Sequence, residues 1–254
     1  MGYRETYEAW LREELDPDTR AELAAIAGDE RELEDRFYTE LAFGTAGMRG
    51  VLGAGSNRMN RYTVGRATQG LANVVREHGP EATARGVVIA YDSRRQSAAF
   101  ALESALILCA NGVRAYLFDE LRPTPELSFA VRHLGCIAGI NITASHNPAI
   151  YNGVKVFTKG GRDAEEAVTN ELGDAANRVD EGEIRIVPYE KAVAAGLVQE
   201  INPQNPYLDA IIRGVNMDAI RSRDLHIILD PMYGVSRTSL QTILLTARCD
   251  VNVI

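Results

Sequence analysis

Three cysteines in 254 residues, at positions 109, 136 and 249, are too scattered to frame a disulfide scaffold or a zinc site. Their odd number and irregular spacing fit small buried thiols in a reducing compartment, so a cytoplasmic location is expected. No apolar run approaches the roughly 20 residues needed to cross a bilayer. The acidic opening MGYRETYEAWLREELD lacks the apolar core of a secretory signal, so no membrane partner is expected. Basic charge is also short. Against 35 Asp and Glu stand 27 Lys and Arg, a net −8 without the basic stripe that nucleic acid demands. An anionic ligand would therefore have to be met by a local cluster of donors. Internal repeats, low-complexity tracts, a Walker A loop, a G-x-G-x-x-G fingerprint and the G-x-S-x-G elbow of serine hydrolases are all missing.

What is present falls into two rhythms. Residues 3–41 read as helices: ETYEAWLREEL is amphipathic, DPDTRAELAAIA carries Pro17 in a first turn after Asp16, and DERELEDRFYTEL places Leu33, Phe37 and Leu41 on one face. FGTAGMRGVLGAGSNRMNR is glycine-rich and reads as irregular, and YTVGRATQGLANVVREHG returns to helical spacing up to Gly79. The period then changes. GVVIAY, VRAYLF and CIAGINIT are short apolar runs suited to buried strands. Between them lie SAAFALESALILCANG, a helix with Ser97 expected as N-cap and Gly112 as terminator, and the shorter TPELSFAVRHLG.

Strands alternating with helices imply parallel pairing, with ligands collecting at the carboxyl ends of the strands. NGVKVF reads as a returning strand and AEEAVTNELGDAANRVDEG as a helix. INPQNPY, residues 201–207, reads as a linker, after which a helix, the strand LHIILD, another helix and CDVNVI restart the pattern. A strand–helix–strand unit this short cannot easily cover both faces of its sheet, so an incomplete second α/β domain is expected.

Three loops fall at the chemically useful ends of the strands: DSRRQS, DELRPTPE and ASHNPAIYNG. In the last, Ser145, His146 and Asn147 sit together with the turn-former Pro148. Ser145 fits either an ordinary loop serine or a nucleophile and phosphate carrier, and in extended backbone His146 would point away from it. Lys155, ten residues on, could hold a phosphoryl group or act in proton transfer if the hairpin brings it back. Otherwise it is an edge-strand lysine in water. Within FGTAGMRG, the glycines let backbone amides approach an anion, and Arg49 offers a bidentate fork. YDSRRQS reads as a turn capped by Asp92 pairing with Arg94, ahead of a phosphate site built from Arg94 and Arg95. RPTPE reads as the start of a helix, with Pro125 in its first turn.

Taken together, TASHNP with YNGVKVF, FGTAGMRG, NRMNRYTVGRATQGLANVV and ELEDRFYTELAFGT resemble the α-D-phosphohexomutase superfamily, in its phosphoglucomutase and phosphopentomutase-like branch. The resemblance implies a three-layer α/β/α domain with a mixed, mostly parallel sheet over residues 1–200. Residues 201–254 would then be a linker and the start of a second α/β domain. It implies an N-terminal part of an enzyme that moves a phosphoryl group between the 1 and 6 positions of a hexose phosphate. The route is a phosphoserine and a sugar bisphosphate such as glucose 1,6-bisphosphate.

Under that resemblance Ser145 is the phosphorylated nucleophile and, through its phosphate, a ligand of Mg²⁺. His146, Lys155 and Arg49 do acid/base and charge-stabilising work, and Thr45, Gly47 and Asn147 bind phosphate or substrate. The substrate would be a hexose or pentose phosphate. The D-x-D-x-D-R metal loop of the superfamily is absent from these residues, although DPMYG resembles a loop upstream of it. The missing C-terminal domains are thus the expected partners, and this chain alone is expected to be inactive. The alternatives are a non-catalytic phosphosugar-binding or regulatory module and, disfavoured by the absent elbow, a Ser–His hydrolase.

Overall fold

The computed structural model describes residues 2–44 and 47–254. The chain opens with three short helices, α1 (Tyr3–Arg12), α2 (Pro17–Ala25) and α3 (Glu30–Phe37). Asp16 caps α2 by accepting hydrogen bonds from the amides of Asp18 and Thr19, the cap that Pro17 in a first turn requires. The three helices close around Trp10, Leu23, Leu33 and Phe37, with the Trp10 ring packed edge-on to Phe37 and Tyr62. Leu41 is not on the α3 face: the helix ends at Phe37, and Leu41 follows in the connection.

The glycine-rich stretch expected to be irregular forms two strands, β1 (Phe43–Gly44) and β2 (Gly47–Val51). Its glycines allow close approach across the sheet. A Cβ on Gly47, which has φ +141°, would meet the carbonyl oxygen of Val154 at 2.0 Å. Next come α4 (Arg61–Glu77), capped reciprocally by Asn60 and Thr63, then α5 (Pro80–Arg85) and β3 (Val87–Tyr91). They are followed by α6 (Ser97–Ala110), β4 (Ala115–Phe118), α7 (Thr124–His133), β5 (Ala138–Ile142), β6 (Tyr151–Thr158) and α8 (Glu166–Asn177). Gly112 ends α6 as expected, at φ +72°. Ser97 is not its N-cap. Gln96 holds that position in a left-handed conformation, while the Ser97 hydroxyl donates to Asp92.

The seven-stranded sheet also takes in β7 (Val198–Ile201), which follows α9 (Tyr189–Ala194) and which the sequence pattern did not reveal. Strand order is β1-β2-β6-β5-β3-β4-β7. Strands β5, β3, β4 and β7 pair in parallel, whereas β6 runs antiparallel to both β5 and β2. β2, β5, β3, β4 and β7 therefore share one direction, the mixed but mostly parallel arrangement expected. Helices cover both faces. On one, Val87, Ile89, Ile140, Ile142, Val154 and Val156 pack beneath α4, α6 and α8. On the other, Val88, Ala90 and Phe157 pack against Leu127, Ala130 and Val131 of α7. Helix α6 is apolar around most of its circumference because it is sandwiched between the sheet and α4. Each fully buried residue such as Leu108 contributes about 1.5–3 kcal/mol by leaving water.

The stretch read as a linker is largely ordered structure. Ile201 ends β7, and α10 (Gln204–Gly214) begins after Asn202 and Pro203. The single helix expected after that stretch is two: α10 and α11 (Met217–Arg221). They precede the parallel pair β8 (His226–Leu229) and β9 (Asp250–Val253), joined by α12 (Arg237–Thr246), with Met217, Ala247 and Cys249 in a small core. Ile228, Met232 and Tyr233 of this part are largely exposed. Among the described residues no helix is long and apolar enough to cross a membrane.

Candidate active site at the serine loop

Residues 143–150 connect β5 to β6 at the carboxyl end of β5, where parallel strands present their ligands. Both strands are interior, which fixes the two ends of the loop. Ile142 pairs with Val154, and the Thr143 amide continues the ladder to the carbonyl of Gly153. From this base the chain turns sharply. Ser145 takes φ +55°, a left-handed conformation that costs a residue with a Cβ about 1–2 kcal/mol. Its amide donates to Thr143 Oγ1 at 3.0 Å, and the Asn147 amide donates to the carbonyl of Ala144. Because the backbone at 145 is left-handed rather than extended, His146 does not point away: its Nδ1 lies 3.4 Å from Ser145 Oγ. Both side chains are exposed, so a reactant can reach the hydroxyl without any structural opening.

Arg49 comes to this loop from β2. Its Nη1 donates to Asn147 Oδ1 at 2.6 Å, joining the glycine-rich stretch to the serine loop. The sheet register explains the approach: Arg49 pairs with Gly153 and Gly47 with Lys155, so these four share one sheet face. Gly153 must lack a side chain, since a Cβ there would lie 2.7 Å from the carbonyl oxygens of both Met48 and Thr143. Lys155 belongs to the interior strand β6, not to an edge strand. It stands opposite Asn141, four residues before Ser145 in the chain. Its ammonium makes no hydrogen bond or ion pair to another described residue. Ser145, His146, Asn147 and Arg49 are thus brought together, and Gly47 and Lys155 are neighbours deeper in the same face. Thr45 lies outside the described residues.

The turn after β3 supplies what sequence reasoning understated. Asp92 and Arg94 pair as expected, Arg94 Nε lying 3.4 Å from Asp92 Oδ2 and the Arg94 amide donating to Oδ1 at 3.0 Å. Asp92 also accepts from Thr143 Oγ1 at 2.6 Å and Ser97 Oγ at 2.9 Å. Arg94, largely buried, donates to four carbonyl oxygens of the serine loop. Nη2 reaches Ser145 at 2.8 Å and Asn147 at 2.6 Å, and Nη1 reaches Pro148 at 2.9 Å and Tyr151 at 3.0 Å. The only sequence signal was the Asp92–Arg94 spacing; the partners stand 51 to 57 residues downstream. Asn152 completes the frame by donating to the carbonyl of Arg95 and to Ser97 Oγ.

A second polar cluster lies at the ends of β4 and β5, where RPTPE does open a helix as expected. Glu126 is fully buried, with Arg122 Nε 3.9 Å from its Oε1 and neither carboxylate oxygen hydrogen-bonded to a described residue. Burial pushes its carboxyl group up to about 7, against the opposing pull of Arg122. Arg122 is committed elsewhere, to Asp119 Oδ1 at 2.9 Å and Gln204 Oε1 at 2.6 Å.

A cleft of about 560 Å³ opens beside the loop, lined by Asn60, Arg61, Arg95, Glu103 and Ile150 among others, but Ser145 is not on its wall. Among the described residues no three His, Cys, Asp or Glu side chains are grouped to hold a metal ion. The residues present therefore do not by themselves fit the Mg²⁺ that the resemblance implies.

Comparison with known proteins meets this geometry at the same residues. The family described as phosphoglucomutase/phosphomannomutase, alpha/beta/alpha domain I, matches residues 40–183. A phosphoglucomutase of Staphylococcus haemolyticus is 45% identical over 146 residues, covering 58% of this chain and 26% of its own length. One from Staphylococcus saprophyticus is 36% identical over 219 residues, covering 85% of this chain and 39% of its own. A solved structure from Thermus thermophilus, described as a "putative phosphomannomutase", superposes with a TM-score of 0.72 at 27% identity. It covers 85% of this chain and 46% of that one. The chain thus spans less than half the length of these relatives.

Proposed function

Because the chain belongs to the phosphoglucomutase/phosphomannomutase family, we propose that it is the serine-bearing part of an enzyme that isomerises a sugar phosphate by relaying a phosphoryl group. The observation that carries this reading is the left-handed, exposed Ser145 with an imidazole nitrogen 3.4 Å from its hydroxyl and the Arg49–Asn147 pair on its flank. In the forward half-reaction the bond between Ser145 Oγ and phosphorus breaks while a sugar hydroxyl oxygen bonds to that phosphorus. The hydroxyl proton leaves, and Oγ regains one. The second half-reaction reverses this with the phosphoryl group at the other end of a bisphosphate such as glucose 1,6-bisphosphate.

Phosphoryl transfer rests mainly on positioning and charge neutralisation, and these residues offer both. His146 is placed to exchange the proton at Oγ. Arg49 faces the developing charge and orients Asn147, and Gly47 lets the backbone come close. Lys155 adds a cation lower on the same face. Mg²⁺, when bound, would neutralise phosphate charge. In this chain only the phosphate on Ser145 would reach it, the remaining ligands belonging to domains beyond the described residues. For that reason the chain alone is expected not to turn over glucose 1-phosphate.

We read residues 1–200 as one catalytic-loop domain and 201–254 as the start of the next, with a hexose or pentose phosphate as substrate and the cytoplasm as location. A second reading is a binding or regulatory module that keeps the serine loop without the chemistry. Intact-mass measurement on the longer polypeptide that adds the domains present in the relatives, with and without glucose 1-phosphate or glucose 6-phosphate, separates the two. A single phosphoryl group on Ser145 that disappears when sugar phosphate is added supports the relay. A serine that never carries phosphate, or a phosphate indifferent to the sugar, overturns it in favour of the module.

A further inference from the structure

Six consecutive residues from Ser145 to Ile150 project from the sheet, and most are exposed. Their own backbone bonds are few. Within the loop only the Asn147 amide to Ala144 and the Tyr151 amide to Pro148 close turns, and the Ile150 carbonyl is taken by Leu52. The carbonyl oxygens of Ser145, Asn147, Pro148 and Tyr151 all converge instead on one point, where their dipoles would repel one another in the absence of a cation. Arg94 occupies that point. Its two terminal nitrogens carry four N–H groups, and the loop carbonyls take one each, at 2.6 to 3.0 Å. Only a planar guanidinium presents donors in that fixed fork; an ammonium offers three, without a plane.

We propose that Arg94 is the positioning residue of the serine loop, fixing the left-handed turn at Ser145 and so the direction of its hydroxyl, without itself touching the phosphoryl group. The inference rests on the reading that Ser145 carries phosphate, but its geometric content stands apart. With all four terminal N–H groups spent on carbonyls, Arg94 has no donor fork left for an anion. Asp92 keeps its charge balanced from behind and is itself held by Thr143 Oγ1, the same hydroxyl oxygen that accepts from the Ser145 amide. A closed circuit results: Asp92 to Arg94, Arg94 to the Ser145 carbonyl, the Ser145 amide to Thr143, and Thr143 to Asp92. The neighbouring Arg95, by contrast, is exposed and makes no side-chain bond to a described residue, which makes it the natural control.

The test compares Arg94→Lys, Arg94→Ala and Arg95→Ala in the chain as it stands, reading backbone amide exchange and the His146 ring resonances by NMR. The expected result is that the Asn147 and Tyr151 amides exchange at least about tenfold faster in both Arg94 variants. The His146 ring signals should shift or broaden, while the amides of Ile89, Ile140 and Val154 in the sheet keep their protection. Ethylguanidinium should restore the loop in Arg94→Ala but not in Arg94→Lys, and Arg95→Ala should match the parent. Unchanged loop exchange would overturn the proposal. So would loss of loop and sheet protection together in both variants, because Arg94 would then be holding the fold. On the longer polypeptide that adds the domains present in the relatives, isolated with phosphate on Ser145, Arg94→Lys should slow phosphoryl release to sugar phosphate without altering the sugar concentration for half-maximal rate. If the parent never carries phosphate, the relay reading fails and the NMR result still decides Arg94. If the parent carries it and Arg94→Lys releases it equally fast, the positioning role fails alone.

Discussion

Replacing Glu126 by Gln isolates one buried charge. The carboxyl group is fully buried with neither oxygen hydrogen-bonded among the described residues, and burial raises it from 4.5 to about 7 although Arg122 stands 3.9 Å away. Below about pH 4.5 both the folded and unfolded chains hold the proton, and the full stability is present. As the pH rises, the unfolded chain ionises first, so stability drains away until the folded group ionises near 7, and above that the loss is constant. At about 1.4 kcal/mol per tenfold change in proton affinity, the loss is roughly 3 kcal/mol. Gln copies the shape of the neutral acid and cannot ionise. The difference between variant and parent should therefore be near zero at pH 4.5, grow with pH, and reach roughly 3 kcal/mol in favour of Glu126→Gln at pH 8. Urea unfolding at a series of pH values measures it, and every other titrating group cancels in the comparison. At a slope of about 3 kcal/mol per molar, the midpoint should move by about 1 M. Parallel profiles across this range would mean that Glu126 is ionised in the folded protein and that the burial argument is wrong.

Other expectations can be checked as directly. Gly153→Ala would drive a methyl group against two carbonyl oxygens at 2.7 Å, so it should destabilise the chain by about 2 kcal/mol or more in urea unfolding and separate Arg49 from Asn147. Leu127→Ala, at a fully buried site on the sheet-facing side of α7, should cost about 2–5 kcal/mol by the same measurement. Cys109 and Cys136 are buried, with burial pushing their thiols up to about 11 and about 12, so Ellman's reagent should label them only after unfolding. His226, whose protonated ring is favoured first by its hydrogen bond to Asp250 and then by Asp224, should titrate by NMR above its ordinary value, and Asp250→Asn should lower its midpoint.

The strands of the parallel region were legible because Val87–Tyr91 and Ala138–Ile142 are short apolar runs bounded by turn residues, a pattern set by local chemistry. The glycine-rich stretch was not. Gly47 to Val51 becomes a strand only because β6 offers it a partner about a hundred residues later, and glycine, a poor strand former alone, is what lets the two backbones come that close. Ser97 looked like a cap on composition, but the nearby Asp92 claimed its hydroxyl, leaving Gln96 to turn the chain. Ser145, His146 and Arg49 were recognisable as residue types in a loop. The left-handed backbone that turns the imidazole toward the hydroxyl was not, and neither was the register that sets Lys155 opposite Asn141. The role of Arg94 was hidden for the same reason. Its pairing with Asp92 is local, whereas its four carbonyl partners exist as a group only in the folded sheet.

The Arg49–Asn147 bond joins positions 98 residues apart, through a strand that lies outside the parallel core. Contacts that close so long a stretch of chain pay their entropy before they return any energy, and so they form late in folding. The nucleophilic corner is accordingly expected to close only after β6 has joined β2 to β5. A half-folded chain would carry the serine but not the arginine beside it, leaving the hydroxyl chemically idle until the architecture around it is complete.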